Sequence, residues 1–341
     1  MKISVVVPTH RRSYSALARA FEVASLDPAR FEVVVRDNSV DERKREVLRM
    51  IQSDAFRLIE CDDRGAFENS IASLRAATGE FVLCLADDDW LSLRGMAAIH
   101  RLASQALDDR SVGLITGTYV LEMSDRAGLF RYAGVDVADP VARLRSYFSI
   151  PAPNVLYYSA VRRDLAIFCF EFLDRLPYKF SFHDQLLSLL YLSIGRVLQV
   201  ENVVYSYDLG EWETAERSLA KDRAMYEAAG LPPEIDRLHW LLCAMEGGFL
   251  LNSQMVRDRI QGDRNALATV WFANMFDRFR NHARVAHFPA SPLNDATLRL
   301  REKWVNSAEV NLNELLFDVS DVLDVSDRSV AQRYFQFWSS L

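Results

Sequence analysis

Four apolar runs, each closed by a polar cluster, govern what residues 1–91 can become. Ile3-Ser4-Val5-Val6-Val7 is stopped by Pro8-Thr9-His10-Arg11-Arg12, and Phe31-Glu32-Val33-Val34-Val35 ends in Arg36-Asp37-Asn38-Ser39. Phe56 to Ile59 precedes Asp62-Asp63-Arg64-Gly65, and Phe81-Val82-Leu83-Cys84-Leu85-Ala86 runs into Asp87-Asp88-Asp89. Near-continuous apolar runs of this kind are the pattern of strands buried on both faces of a parallel sheet. Helical patterns lie between them. Ser13 can cap a helix with Leu17, Ala20, Phe21 and Ala24 on one face. A helix over 41–52 should bury Val47, Leu48 and Ile51, and Gly79 should end a helix over 66–77. Strand and helix alternate, which implies parallel strands with right-handed crossovers. Ligands of such sheets bind at the carboxyl ends of the strands, where all four polar clusters stand.

The triplet Asp87-Asp88-Asp89 narrows the chemistry. Adjacent carboxylates repel one another and are best tolerated in water or around a cation. Mg²⁺ typically takes one or two carboxylates together with substrate phosphates. A solvated acidic turn is the competing reading of the triplet alone, because Asp favours turns and helix caps. No Gly-x-Gly-x-x-Gly follows the first strand, and no Gly-Lys-Ser/Thr loop occurs. Phosphate in this pocket is therefore expected to be held through a metal rather than a glycine cradle.

Composition bounds the rest. The 341 residues allow one large or two ordinary domains. A net charge of -7 argues against a nucleic-acid partner, which calls for a basic face. Cys61, Cys84, Cys169 and Cys243 are widely spaced and read as free thiols in a reducing compartment. The chain enters a strand pattern directly from Lys2, and no apolar run approaches the roughly 20 residues of a membrane span. A cytoplasmic protein is expected, with room for contact at the inner face of the membrane.

Order and spacing of the four strand ends resemble a known family. Val5-Val6-Val7-Pro8-Thr9-His10-Arg11 is similar to the opening strand and loop of the family 2 glycosyltransferases, which have the inverting GT-A fold. Val33 to Ser39 resembles their second strand and its Asp-Asn-Ser end. Arg64-Gly65-Ala66-Phe67-Glu68-Asn69-Ser70 resembles their helix start, and Phe81 to Leu91 their acidic metal motif. The resemblance implies a GT-A nucleotide-diphospho-sugar transferase-like α/β fold, a mainly parallel sheet flanked by helices, and a divalent metal, Mn²⁺ or Mg²⁺. It implies a donor nucleotide site at Pro8, Thr9, His10, Arg11, Asp37, Asn38, Arg64, Asn69, Asp87 and Asp88, with Asp37 accepting hydrogen bonds from the base. Arg64 and Asn69 would lie near the donor pyrophosphate or sugar, and Asp89 with Asp87 would hold the metal. Strand-end turns and helix caps are the plain alternatives for Asp37 and Asn69. The chain departs from the family at Ala86, where many members carry a further Asp, and at His10, which replaces the usual Tyr.

Beyond the triplet, Leu114 to Val120 reads as a strand, 139–148 as a helix and Asn154 to Tyr158 as a strand. His183-Asp184 opens an apolar helix ended by Gly195. A carboxylate at a helix start is stabilised by the helix dipole and stays ionised, which suits a general base for a hydroxyl. In the family an acidic pair ending in Asp supplies that base, so the resemblance makes Asp184 the catalytic residue. An HD-type phosphohydrolase would need further His and Asp ligands, and the remaining histidines form no convincing set. Two short strands are expected at 197–200 and 203–207, where Tyr205-Ser206-Tyr207-Asp208 stands in place of a family motif ending in His.

From about residue 212 the pattern is helical, with helices over 213–229, 234–255 and 263–286 and two more within 295–341. This divides the chain into a catalytic domain at 1–210 and a helical region at 211–341 for acceptor, oligomer or membrane-surface contacts. Trp271 to Arg284 mixes aromatic and basic residues, as a core helix, a homo-oligomer contact or a peripheral membrane contact would. The expected reaction is inverting transfer from a nucleotide-diphosphate sugar to a glycan or lipid-linked acceptor, in surface polysaccharide or glycoconjugate synthesis. The competing readings are an inactive nucleotide-sugar-binding or scaffold protein and a nucleotidyltransferase. The latter usually carries a Gly-rich loop after the first strand, which is absent here.

Overall fold

The computed structural model describes residues 1–9, 22, 27–39, 41–62, 65–86, 89–150, 154–178, 183–210, 214–260, 262–281, 290–307 and 309–341. His10, Arg11, Arg64, Asp87 and Asp88 lie outside these residues, as does the helix expected after Ser13. The chain forms two compact units. One comprises 1–138, 149–174 and 194–210, and the other 139–148, 175–193 and 211–341.

The first unit is built on a nine-stranded sheet. Its parallel half places β3 (Phe56–Glu60), β2 (Phe31–Asp37), β1 (Ile3–Thr9) and β4 (Phe81–Cys84) side by side in that order. Every residue of β2 and β4 is buried, and all of β1 except Pro8, which is why these segments read as unbroken apolar runs. Register pairs Thr9 with Asp37 and Val6 with Cys84, so the polar ends of β1 and β2 lie side by side and β4 runs beside β1.

The sheet continues from β4 as a mixed sheet: β8 (Ala160–Arg162), β6 (Val112–Glu122), β9 (Arg196–Asp208) and β5 (Trp90–Leu91), with β7 (Ala127–Phe130) on β6. β9 runs parallel to β6, and β8, β7 and β5 pair antiparallel with their neighbours.

Several local expectations are corrected. Residues 197–207 form one strand, not two, because irregularities in the β6–β9 register absorb Glu201-Asn202 without a turn. Leu156–Tyr158 is a 3-10 turn rather than a strand, and the strand begins at Ala160. In α1 (Glu42–Arg49) Leu48 is buried but Val47 is 45% exposed. Its other inward residue is Lys44, whose amine finds partners below the helix.

Gly79 does not cap α2 (Ala66–Ala76), and its φ is not positive. It is needed for close approach: a Cβ there would fall 2.6 Å from Ser4 Oγ and 2.7 Å from the Lys2 carbonyl.

Around that crossing Glu32 takes hydrogen bonds from the Ser4 hydroxyl and from the Thr78 and Gly79 amides. Burial raises the pKa of this carboxyl, and the three donors outweigh it, so the net shift is downward from 4.5. Its stabilising contribution is therefore complete above pH 4.5 and is lost as pH falls through the depressed folded value. Glu32→Gln is expected to cost about 2 kcal/mol at neutral pH, with the difference from the parent shrinking in acid; urea unfolding at two pH values checks both parts.

The second unit is helical. It contains α4 (Pro140–Phe148), α6 (His183–Ile194, up to Ser193), α7 (Ala215–Ala228) and α8 (His239–Asn252). α9 (Gln254–Arg257), α10 (Arg264–Asn281), α11 (Pro292–Val305), α12 (Leu312–Ser326) and α13 (Arg328–Ser339) follow. In sequence order α3 (Leu93–Gln105) and α5 (Arg163–Asp174) belong to the first unit. Three helices, not two, therefore fill 292–339.

The aromatic face of α10 packs inward, with Trp271, Met275, Phe276 and Phe279 all buried. Gly247 of α8 lets that face approach, since a Cβ would lie 2.0 Å from Trp271 Nε1. The indole N–H donates to the Cys243 carbonyl at 3.0 Å. Tyr334 and Trp338 of α13 are buried as well, and the Tyr334 hydroxyl donates to Glu246 at 2.8 Å. All four cysteines are free, and three are buried. Among the described residues no helix is long and apolar enough to cross a membrane.

Candidate active site

Asp89 lies between the end of β4 and the short β5, and only 1% of it is exposed. β5 pairs antiparallel with β9, matching Trp90 to Ser206 and Leu91 to Tyr205. That register brings β9 against Asp89. The Tyr205 hydroxyl donates to Asp89 Oδ2 at 2.7 Å, and the Asp208 backbone N–H donates to Oδ1 at 3.1 Å. The Ala86 N–H donates to the Tyr205 oxygen at 3.3 Å. Burial and then the Asp89 charge hold the Tyr205 phenol well above its usual 10, so it stays a neutral donor.

Packing fixes β9 in place. Ser92 caps α3 by accepting the Gly95 N–H at 3.2 Å. A Cβ on Gly95 would fall 2.0 Å from the Val203 carbonyl, so α3 and β9 touch backbone to backbone. The Tyr205 ring stacks on Tyr158 with centroids 4.7 Å apart.

A second polar cluster occupies the ends of β1 and β2. Asp37 is fully buried. Its Oδ1 accepts the Ser39 N–H at 3.0 Å and its Oδ2 the Ser39 hydroxyl at 3.1 Å. Lys44 Nζ stands 3.4 Å from Oδ1 and Arg45 Nε 3.5 Å from Oδ2. The buried Lys44 amine also donates to Thr9 Oγ1. The backbone is joined there too, by Asn38 N–H to the Thr9 carbonyl at 3.1 Å and Cys61 N–H to the Asp37 carbonyl at 3.0 Å. Thr9, Asp37 and Asn38 are thus brought together, and Pro8 precedes them on β1 opposite Arg36.

Asn69, in the first turn of α2, is 2% exposed. It donates to the Arg36 carbonyl at 3.2 Å and accepts from the Arg36 guanidinium at 2.8 Å. Its side chain therefore ties the helix start to the end of β2.

Asp184 belongs to the helical unit, in the first turn of α6. It is half-buried, and its Oδ1 accepts the Gln185 N–H at 2.7 Å. Tyr147 of α4 donates to Gln185 Oε1 at 3.2 Å. Burial first, and then the Asp184 charge, push the Tyr147 phenol upward. A carboxylate so placed meets the N-terminal end of a helix dipole, which favours its ionised form.

Sequence reasoning missed Tyr205, Lys44 and Arg45. The spacing of Lys44 and Leu48 on one helical face was a signal for Lys44, but a lysine there reads as solvated. Asp89 offers hard oxygen ligands whose orientation is already set, the donor chemistry that Mg²⁺ or Mn²⁺ takes. No group of three or more metal-ligating side chains occurs among the described residues.

Comparisons with known proteins bear on this geometry. Residues 4–124 match the model of the glycosyl transferase family 2. No curated protein matches the chain. Among solved structures, residues 1–349 of S. aureus TarS in complex with UDP-GlcNAc align with a TM-score of 0.55 and 14% identity, over 100% of this chain and 91% of that one. The same segment in another crystal structure gives 0.53 and 14%, over 100% and 91%. A longer TarS structure gives 0.53 and 13%, and there the chain spans 100% of its own length and 55% of the other. At such identity the likeness establishes the fold, and it agrees with the expected GT-A architecture.

Proposed function

We propose that this chain, a glycosyltransferase with a family 2 domain over residues 4–124, moves a sugar from a nucleotide-diphosphate donor to an acceptor hydroxyl with inversion. The observation that carries the reading is Asp89, a buried carboxylate at the carboxyl edge of the sheet, fixed by two hydrogen-bond donors from β9. The nucleotide is assigned to Pro8, Thr9, His10, Arg11, Asp37 and Asn38. Arg64, Asn69, Asp87 and Asp88 are assigned to the pyrophosphate and sugar. TarS in complex with UDP-GlcNAc, a fold relative, supports a nucleotide sugar as the donor.

Asp89 and Asp87 would hold a Mn²⁺ or Mg²⁺ ion. Such an ion neutralises charge on the departing diphosphate. Asp184 takes the proton from the acceptor hydroxyl. The hydroxyl oxygen then bonds to the anomeric carbon from the face opposite the diphosphate, and the bond to the diphosphate oxygen breaks. Both electrons of that bond leave with the nucleoside diphosphate, and no covalent enzyme intermediate is needed.

In this reading residues 1–210 carry the donor chemistry, and 211–341 serve acceptor, oligomer or membrane-surface contacts. The acceptor is a glycan or lipid-linked glycan of surface polysaccharide or glycoconjugate synthesis, met on the cytoplasmic side. Nucleoside diphosphate release over a panel of UDP- and GDP-sugars with Mn²⁺ or Mg²⁺ tests the reaction. Release from one donor class, with an inverted anomeric proton coupling in the product, is expected. No release from any donor, with or without acceptors, points instead to a binding or scaffold protein.

A further inference from the structure

One phenol is bonded to both Ala86 and Asp89. The Ala86 N–H can only donate, so the Tyr205 oxygen accepts it, and the single phenolic proton is left for the Asp89 carboxylate. The Asp208 N–H then takes the other carboxylate oxygen. A single donor would leave a carboxylate free to turn about its side-chain bonds. Two donors on separate oxygens fix its plane. Both come from β9, and Tyr205 and Asp89 are 116 positions apart in sequence. The Tyr205 ring is itself immobilised, fully buried and stacked on Tyr158.

We propose that Tyr205 is the positioning residue of the donor site, setting the orientation in which the Asp89 carboxylate faces the donor diphosphate and its cation. This rests on the reading of Asp89 as a donor-site group. Outer partners of ligating carboxylates act in this way, and their loss typically costs 10–100-fold in affinity.

Tyr119 provides the control. It is equally buried in the same aromatic cluster, its ring 6.5 Å from that of Tyr205, but its hydroxyl bonds Thr116 Oγ1 at 2.7 Å and Ser159 Oγ at 3.0 Å. Tyr205→Phe and Tyr119→Phe each remove one buried hydroxyl and keep the ring. Crystal structures of both full-length variants, and calorimetric titration of each with UDP and Mn²⁺, separate positioning from packing.

The expected result is that both variants fold and lose similar stability. Tyr205→Phe alone shows Asp89 turned from its place and binds UDP with Mn²⁺ about 10–100-fold more weakly. Tyr119→Phe binds as the parent does. Asp89 unmoved in Tyr205→Phe, or equal loss of affinity in the two variants, overturns the proposal. If the parent binds no UDP while Asp89 still turns in Tyr205→Phe, the positioning of Asp89 stands and the donor reading falls.

Discussion

Asp89→Asn is expected to lower sugar transfer by about 10³-fold, the scale seen when one preorganised electrostatic group is removed from a reacting centre. The reason is local. Asparagine keeps the size of the side chain but replaces one oxygen by an amide nitrogen. That nitrogen must then face either the Tyr205 hydroxyl or the Asp208 N–H, both of which now donate to Asp89. The negative charge that would hold a cation is gone as well. The fold suffers less: one mismatched hydrogen bond costs about 1–3 kcal/mol. Nucleoside diphosphate release measures the first effect and urea unfolding the second. Loss of transfer with a folded protein is the expected combination.

Asp184→Asn is the second large effect, with a different signature. The amide oxygen of asparagine can still accept the Gln185 N–H, so the start of α6 keeps its hydrogen bond. What is lost, on the proposed reading, is the basicity that would take a proton from the acceptor. General base catalysis contributes about 10²–10⁴-fold, and kcat should fall by that factor while donor binding is unchanged. Steady-state kinetics beside a donor titration reads both. Near-normal turnover in Asp184→Asn would remove this residue from the proton transfer and leave the Asp89 assignment untouched.

The parts of the fold legible in the sequence were those whose burial is two-sided. β1, β2 and β4 announced themselves because nearly every residue is covered by the sheet's neighbours. Their polar ends were legible for the same reason, since charge at the end of such a run has few places to go. Three other features depended on distant partners. Glu201-Asn202 looked like a turn, but β6 alongside lets the strand pass through it. Leu156 to Tyr158 has strand composition, yet it folds as a 3-10 turn before β8. Lys44 reads as a solvated lysine until Asp37 and Thr9, from two strands, are placed against its helix. The hold of Tyr205 on Asp89 is the extreme case, because no periodicity links two residues that far apart in sequence.

The helical region illustrates the same limit from the other side. Trp271 to Arg284 has the composition of a membrane-surface helix, but Trp271, Phe276 and Phe279 of α10 are buried by packing, with Trp271 bonded to the backbone of α8. Gly247 gives this arrangement a local cause, since only a residue without Cβ leaves room for the indole. Amphipathic pattern alone does not distinguish a face turned to lipid from one turned to another helix.

The most direct measurement is the melting temperature of the full chain against nucleoside diphosphates and nucleotide sugars, with and without Mn²⁺, in parallel with Asp89→Asn. A ligand that binds only the folded state at 100 times its Kd adds about 2.7 kcal/mol of stability, enough for a clear shift. The account predicts a Mn²⁺-dependent rise with one nucleotide class that disappears in Asp89→Asn. No rise with any nucleotide, or a rise that survives the substitution undiminished, would contradict it.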